Sequence, residues 1–390
     1  MFFNKKFKKI KLDASITILT FTLLFVGFGI FFSASLGLMA RHEAKFYAIL
    51  QNQTLFGVVL GSLAFFIGAT LPREYFKNLS PIIYLIGIIL CILVYVPGIG
   101  FEHGGARRWI SLFGFTMQPS EILKYASVML LGTIYTWQQN LKHTHETIFQ
   151  NSKFNFKKIW LILLHHRFTP IIFLLLGVGI VLKNPDLGTS AIILSGIFAV
   201  FFVIKAKWSD LLIVISLLSP ILIIFYLLNP HAQERVNTFI APEKNTGHQN
   251  YQVQQTKISL GAGGLWGDGF AKGTQKYHHL PEPVGDSIFA VLGEEFGFVG
   301  VIVILLLVIG LGYRLIFISL SVRDPFGKAV LVGTGTVILV QTFLNAGSSS
   351  AAIPFTGVPF PLVSHGSTSI IITCGLLGLC SQISAKKFIS

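Results

Sequence analysis

One carboxylate stands where the chain changes character. Asp286, in Leu280-Pro-Glu-Pro-Val-Gly-Asp286-Ser-Ile-Phe-Ala290, closes a polar stretch of more than fifty residues and opens an apolar one. Ionisable groups at a membrane edge are costly to desolvate, which makes such a residue a functional candidate by default. Glu294 and Glu295 follow eight and nine residues later, about 12 Å of rise in a continuous helix. That exceeds the ~5–9.5 Å separation of paired glycosidase carboxylates. A two-acid glycosidase site is therefore excluded, and a single carboxylate working against arginines, a lysine or a metal is the simpler arrangement.

Candidate cations lie in Gly105-Ala-Arg107-Arg108-Trp109-Ile110 and Gln118-Pro119-Ser120-Glu121-Ile-Leu-Lys124. Glu121 and Lys124 are three apart, hence neighbours on one helix face. They form either an ion pair that neutralises its own cost or a cation aimed at an anionic lipid head, and the expense of charge at that depth favours the second. Arg107 and Arg108 are interfacial anchors or phosphate binders; two arginines in a short outer loop run against the usual charge rule and point to phosphate. Asp186, in Lys183-Asn-Pro-Asp-Leu-Gly-Thr189, suits a helix cap or a catalytic acid equally. His248, His278 and His279 have no acid or cysteine at ligand spacing and read as surface histidines rather than a zinc site. Gly261-Ala-Gly-Gly-Leu-Trp-Gly-Asp-Gly269 matches no nucleotide loop and reads as tight turns. Ser364-His-Gly-Ser-Thr-Ser369 offers small hydroxyl residues for close helix approach or for contact with a phosphate or sugar.

The elements that must hold these residues are apolar helices. Over 390 residues the chain is 53% hydrophobic and only 12% charged, with a mean hydropathy of +0.71, so it reads as an all-α integral membrane protein. At about twenty residues per crossing, ten spans are predicted near 14–37, 52–70, 80–97, 120–138, 168–183, 188–204, 211–228, 297–317, 329–346 and 365–383. With the N-terminus inside, 19 of the 30 Lys and Arg fall in inner segments, which puts both termini in the cytoplasm. The net charge of +14 is distributed in clusters between apolar runs, as suits anionic lipid heads, and argues against nucleic acid. Cys91, Cys374 and Cys380 all sit in apolar runs and read as packing residues. The basic start, Met1 to Lys11, precedes an apolar run too long for a cleaved leader. The chain is a single membrane domain, with 229–286 as one large extracytoplasmic loop folded on the bundle. Spans 5 and 6 meet at a broken segment around Asp186, and Gly293, Gly297 and Gly300 are break points after a short helix from about Asp286 to Phe296.

These motifs together resemble the shape, elongation, division and sporulation family of membrane glycan polymerases, typified by RodA, FtsW and SpoVE. The likeness adds Ser33-Ala-Ser35, Val96-Pro-Gly-Ile-Gly100, Arg235 with Phe239 and Pro242, Tyr251-Gln252, Gln275-Lys276, Asn345 and Gly357-Val-Pro-Phe-Pro361. Pro97 to Gly100 and the arginine pair look like the division branch, and Gly357 to Pro361 looks like the elongation branch; the balance favours division. Ser364 to Ser369 departs from the family's Ser-Tyr-Gly-Gly-Ser-Ser, and Asn345 to Ser350 is unusual. The resemblance implies a peptidoglycan glycosyltransferase acting on lipid II at the outer face of the cytoplasmic membrane, at the division septum. It implies Asp286 as general base or ligand of a divalent cation, Mg or Mn. Lys124 with Arg107 or Arg108 would bind the diphosphate, Glu121 would orient Lys124, and Trp109 would stack or anchor. Gln118 and Ser364 are further substrate contacts, and Asp186, Lys276 and Glu294 secondary ones. Implied partners are lipid II, undecaprenyl diphosphate, a class B penicillin-binding transpeptidase and other divisome membrane proteins. Two other readings fit the same features: a lipid II transporter using the broken spans, and a scaffold that recruits the transpeptidase.

Overall fold

A computed structural model describes residues 11–103, 106–112, 115–148, 169–204, 208–242 and 248–387. The basic N-terminal run up to position 10, Gly105 and most of the predicted inner loop 139–167 lie outside the described residues. Helices run through all ten stretches predicted to span: α1 Ala14–Arg41, α2 Glu43–Thr70, α3 Arg73–Leu93, α4 Pro119–Ile148, α5 Thr169–Lys183, α6 Leu187–Val203, α7 Trp208–Leu228, and then α11 Ile288–Ser319, α12 Pro325–Ser349 and α13 Ser367–Lys387. Among the described residues six of these, α1, α2, α3, α11, α12 and α13, are long and apolar enough to cross a membrane, while α5 and α6 are shorter apolar helices. Between α7 and α11 lie α8 Pro230–Ile240, α9 His248–Ala262 and the single turn α10 Gln275–His278.

Burial separates core from rim. In α12 and α13, 67% of the apolar window is enclosed, against 22% in α3, so α12 and α13 form the centre and α3 faces outward. α12 packs on α4, α6, α11 and α13. α13 lies against the second half of α2 at van der Waals contact: a methyl at Gly68 would overlap the carbonyl of Gly375, and one at Gly378 would overlap that of Phe65. Small residues permit this approach in lipid, where helix pairs gain little from the hydrophobic effect and depend on packing.

The ends of the bundle are distinct. The Asp13 amide donates to the Ser381 carbonyl (3.3 Å), and its carboxylate accepts from Arg314 Nη2 (2.9 Å) and Ser384 Oγ (2.6 Å). The start of α1 and the ends of α11 and α13 therefore meet at one end. Desolvation of Asp13 opposes ionisation, but the donors Ser384, Ile16 and Arg314 outweigh it and hold the acid below its ordinary value. Asp286, at the start of α11, belongs to the opposite end.

At that opposite end the segment before α4 is not irregular loop, as a wholly helical reading expects. It is a three-stranded antiparallel sheet of β1 Gly100–His103, β2 Ala106–Leu112 and β3 Phe115–Met117, in the order β1-β2-β3. The register pairs Gly100 with Ile110, Phe101 with Trp109 and Glu102 with Arg107, with an irregularity between Phe101 and Glu102. Phe101 on β1 and the adjacent Trp109 and Ile110 on β2 favour such a ribbon, and Ile110 anchors it, fully buried.

The predicted break in α11 is at Gly297 (φ 64°, ψ −168°), a left-handed backbone that glycine adopts without penalty. The glycine-rich segment seals the break. Asp268 and Gly269 amides donate to the carbonyls of Glu294 and Glu295 (3.0 and 2.9 Å), and the Phe298 and Val299 amides donate to Gly264 and Leu265 (2.9 and 3.1 Å). Backbone groups freed from the helix thus regain partners, as burial in an apolar setting requires. The helix before the break begins at Ile288, two residues later than expected.

Candidate active site

Asp286 sits in the turn between α10 and α11, and three other parts of the chain fix that turn. Within it, the Gly285 and Ser287 amides donate to the Glu282 carbonyl (3.1 and 3.3 Å), and the His365 amide reaches across to the Val284 carbonyl (2.7 Å). Ser364 Oγ donates to the Gly285 carbonyl (2.8 Å), Asn345 Nδ2 to the Asp286 carbonyl (2.9 Å), and Gln252 Nε2 to Ser287 Oγ (3.1 Å). The backbone on both sides of the acid is thereby tied to α9, α12 and the strand of chain before α13, which leaves the carboxyl group little freedom of position. Glu282 takes φ 45°, a conformation uncommon for residues with a side chain.

The partially buried carboxylate faces arginines. Gly357 (φ +66°) passes so close that a Cβ built on it would lie 3.3 Å from Asp286 Oδ2 and 3.7 Å from Arg235 Nη2. Arg235 comes from α8 and donates through Nη1 to the Thr356 carbonyl (3.1 Å). Arg108 comes from β2 and donates through Nε to the Asn184 carbonyl (3.2 Å) and through Nη2 to that of Pro185. Desolvation, reinforced by Glu282, pushes the Asp286 carboxyl up to about 6 from 3.8, even though Arg235 and Arg108 pull it down. Burial and Arg108 lower the Arg235 guanidinium, with Asp186 and Asp286 opposing. The product is an acid that is ionised at neutral pH yet basic enough to accept a proton, with two guanidiniums nearby.

Strand geometry divides the arginine pair. Adjacent residues in a strand point to opposite faces. Arg107 is exposed and approaches Glu102 at 3.7 Å, with side chains 52% and 56% accessible, while Arg108 turns in toward the α5–α6 break. Of the two arginines expected as alternative diphosphate binders, Arg108 is the one on the inner side, beside the α5–α6 turn, and Arg107 the one on the outer side. Trp109 is partly buried on the same strand, its Cα paired with Phe101.

Lys124 also departs from expectation. It is fully buried, and its ammonium donates to Glu121 Oε2 (2.8 Å) and Gln341 Oε1 (2.7 Å). Glu121 orients it, and the two form a self-neutralising pair: among the described residues the ammonium's partners are on α4 and α12, where a lone charge would be prohibitively costly. Gln341 Nε2 continues to the Pro359 carbonyl (2.9 Å), so the pair braces the chain that carries Gly357 past Asp286. Asp186 caps α6 through the Thr189 amide (3.0 Å) and also accepts from Gln118 Nε2 (3.0 Å). Gln118 therefore holds the α5–α6 turn on which Arg108 rests. Ser364 acts on the Gly285 backbone, and the His365 ring stacks on Phe31 at 6.0 Å.

Lys276 and Glu294 belong to a different structure. Lys276 is fully buried and pairs with Glu295 and with Ser33 of α1 (2.9 Å). Glu294 accepts from the Thr274 and Gln275 amides (2.6 and 3.0 Å) and from Ser259 Oγ (2.8 Å). Both side chains belong to an internal network that joins α1, α9, α11 and the start of α10, in which the Lys276 ammonium and both Glu294 carboxylate oxygens are engaged. His278 and His279 are exposed. Among the described residues no three His, Cys, Asp or Glu side chains gather. Asp286 has Glu282 as its neighbouring acid and Arg235 and Arg108 as the cations that offset its charge. Arg235 is the site residue that sequence reasoning named without assigning a role; an arginine in a polar loop carries no positional signal until the loop folds.

The model of the cell cycle protein family of FtsW, RodA and SpoVE matches residues 14–388. A probable peptidoglycan glycosyltransferase FtsW from Trichlorobacter lovleyi is 27% identical, covering 98% of this chain and 95% of the relative. Stage V sporulation protein E of Bacillus subtilis is 29% identical over 97% and 98% of the two chains. The peptidoglycan glycosyltransferase MrdB of Escherichia coli is 31% identical over 98% and 97%. A chain of a solved peptidoglycan synthase complex, described as coordinating polymerization and crosslinking, superposes with a TM-score of 0.72 at 25% identity over 97% of this chain and 99% of that one. The rod shape determining protein RodA of Thermus thermophilus shares the fold, with a TM-score of 0.62 at 24% identity over 97% and 98% of the two chains.

Proposed function

Since the chain belongs to the cell cycle protein family of FtsW, RodA and SpoVE, we propose that it is a peptidoglycan glycosyltransferase that polymerises lipid II into glycan strands during cell division. The observation that carries the chemistry is Asp286, held by its backbone at the head of α11 with Arg108 and Arg235 nearby. Asp286 accepts the proton of the attacking GlcNAc hydroxyl as that oxygen bonds to the anomeric carbon. The bond from that carbon to the diphosphate oxygen breaks, and the electron pair departs on undecaprenyl diphosphate. Arg108 and Arg235 take up the developing charge, and their fixed backbone contacts mean they need not reorganise as it forms. Asp286 acts here as base rather than as the ligand of a resident Mg or Mn.

Sidedness follows from charge. The bundle end that gathers Asp13, Arg314 and the end of α13 is assigned to the cytoplasm by its excess of Lys and Arg. Asp286, the sheet and the α5–α6 turn then open to the outer face, at the septum. Trp109 stacks on a sugar or anchors at the interface. A class B penicillin-binding transpeptidase crosslinks the product, and other divisome proteins gather with it in the membrane.

The test is polymerisation by purified protein and partner from lipid II, comparing wild type with Asp286→Ala and Arg235→Gln. Glycan chains formed by wild type and lost in Asp286→Ala are expected. Normal polymer from Asp286→Ala would overturn the assignment.

A further inference from the structure

The reaction above leaves one pair of fully buried charges, Lys276 and Glu295, without a task. Ser33 of α1 completes the cluster: its hydroxyl donates to the Glu295 carboxylate (2.6 Å) and accepts from Lys276 Nζ (2.9 Å). The Ala271 amide donates to Glu295 Oε2 (3.1 Å). α1 approaches α10 so closely that a methyl at Gly37 would overlap the Lys276 carbonyl. Three parts of the chain, α1, α10 and the half of α11 before Gly297, therefore meet at one point.

That point closes a loop around the catalytic acid. Lys276 lies ten residues before Asp286 and Glu295 nine residues after it, so the pair joins the two ends of a segment with Asp286 near its middle. The return arm, from Ile288 to Glu295, is helix, stiff and about 10 Å long. The outgoing arm, from Lys276 to Asp286, leaves α10 after one turn and continues as irregular turns; ten residues could reach up to about 33 Å if extended. The ion pair takes up that slack at its far end. Glu294 adds a second tie at the same level through the Thr274 and Gln275 amides (2.6 and 3.0 Å). Ser364, Asn345 and His365 hold the Asp286 turn from the side of α12 and α13, and this cluster holds it from the side of α1.

Net stability does not account for an ion pair here. Replacing a buried pair by apolar side chains of like volume is often neutral or stabilising, whereas removing one partner is costly. What the charged, hydrogen-bonded cluster adds over an apolar one is a fixed distance and direction. We propose that Lys276, Glu295 and Ser33 are positioning residues for Asp286, setting the length of the arm that carries the carboxylate and so its placement against the reacting hydroxyl. The effect on catalysis rests on the glycosyltransferase reading; the loop closure rests on the cluster alone.

The experiment compares the full chain with its partner as wild type and as the double variant Lys276→Met/Glu295→Leu, which removes both charges together and leaves neither unpaired. A melting temperature close to that of wild type is the control for folding. In polymerisation from lipid II the double variant's kcat is expected to fall about 10²-fold, the cost of a misplacement of about 1 Å, with KM little changed. Its acid limb is expected to move to lower pH, because a loosened turn admits water to Asp286 while the charges that face it, Glu282, Arg235, Arg108 and Asp186, are unaltered. Hydrogen exchange in residues 280–287 is expected to quicken in the same protein. Ser33→Ala, which keeps both charges, should lower kcat about fivefold, the worth of one hydrogen bond. A folded double variant with wild-type kcat and an unmoved limb would overturn the proposal, as would a loss confined to KM. If the double variant does not fold, Ser33→Ala decides: wild-type kcat in that protein overturns the proposal. Normal polymer from Asp286→Ala would instead sink the glycosyltransferase reading, and the exchange measurement would still test the loop closure.

Discussion

Asp286→Asn is expected to destroy activity and to stabilise the protein. The carboxyl is pushed up to about 6 from 3.8 in the fold, so the folded state prefers the protonated form. Its ionised form therefore costs stability, a cost absent below pH 4, growing between pH 4 and 6, and complete above 6. Raising the carboxyl from 3.8 to about 6 is worth about 3 kcal/mol, reduced to about 1–2 kcal/mol because the side chain is partly exposed and water screens it. Asparagine has the same shape and no charge at any pH. Melting curves in detergent at pH 7.5 should therefore place Asp286→Asn above wild type, with the gap closing as the pH is lowered to 4. A variant that melts below wild type at pH 7.5, or an advantage independent of pH, would refute the claim that Asp286 is held against its preferred state for the sake of catalysis.

The same titration predicts the rate. Polymerisation measured from pH 5 to 8 should fall on an acid limb centred near pH 6, about tenfold lower at pH 5 than on the plateau. Glu282→Gln, which removes a neighbouring negative charge, should move that limb to lower pH; a rate flat to pH 4.5 would exclude Asp286 as the titrating base. Gly297→Ala sets a methyl against the backbone of Gly267 and Leu265 at φ 64°, and should cost about 2–6 kcal/mol from strain and overpacking together. Its readout is thermal stability alongside protease sensitivity of the glycine-rich segment. Lys276→Met or Glu295→Leu alone should each cost about 3–5 kcal/mol, and the double variant should recover most of the loss, as a double-mutant cycle on melting temperature would register.

How much of this was legible beforehand follows from the range of each signal. The ten apolar stretches, the break at Gly297 and the Glu121–Lys124 contact all arise from residues close in sequence: length of apolar run, glycine position and helical spacing. They could be read without the fold, and Asp286 could be singled out because it sits where two such signals meet. That Lys124 is satisfied inside the bundle could not, because Gln341, its other partner, is supplied by α12.

The sequence by itself thus determined that the chain is a helical membrane protein with one acid poised at the head of a helix broken by glycine. Only the tertiary structure decided which cations neighbour that acid. Strand alternation sends Arg107 out to Glu102 and Arg108 in toward Asn184 and Pro185, and α8 brings Arg235 to within reach of Asp286 across Gly357. The reason is physical: local periodicity fixes which way a side chain can point relative to its own element, whereas the charge it meets depends on packing between elements far apart in the chain, which no short window of residues encodes.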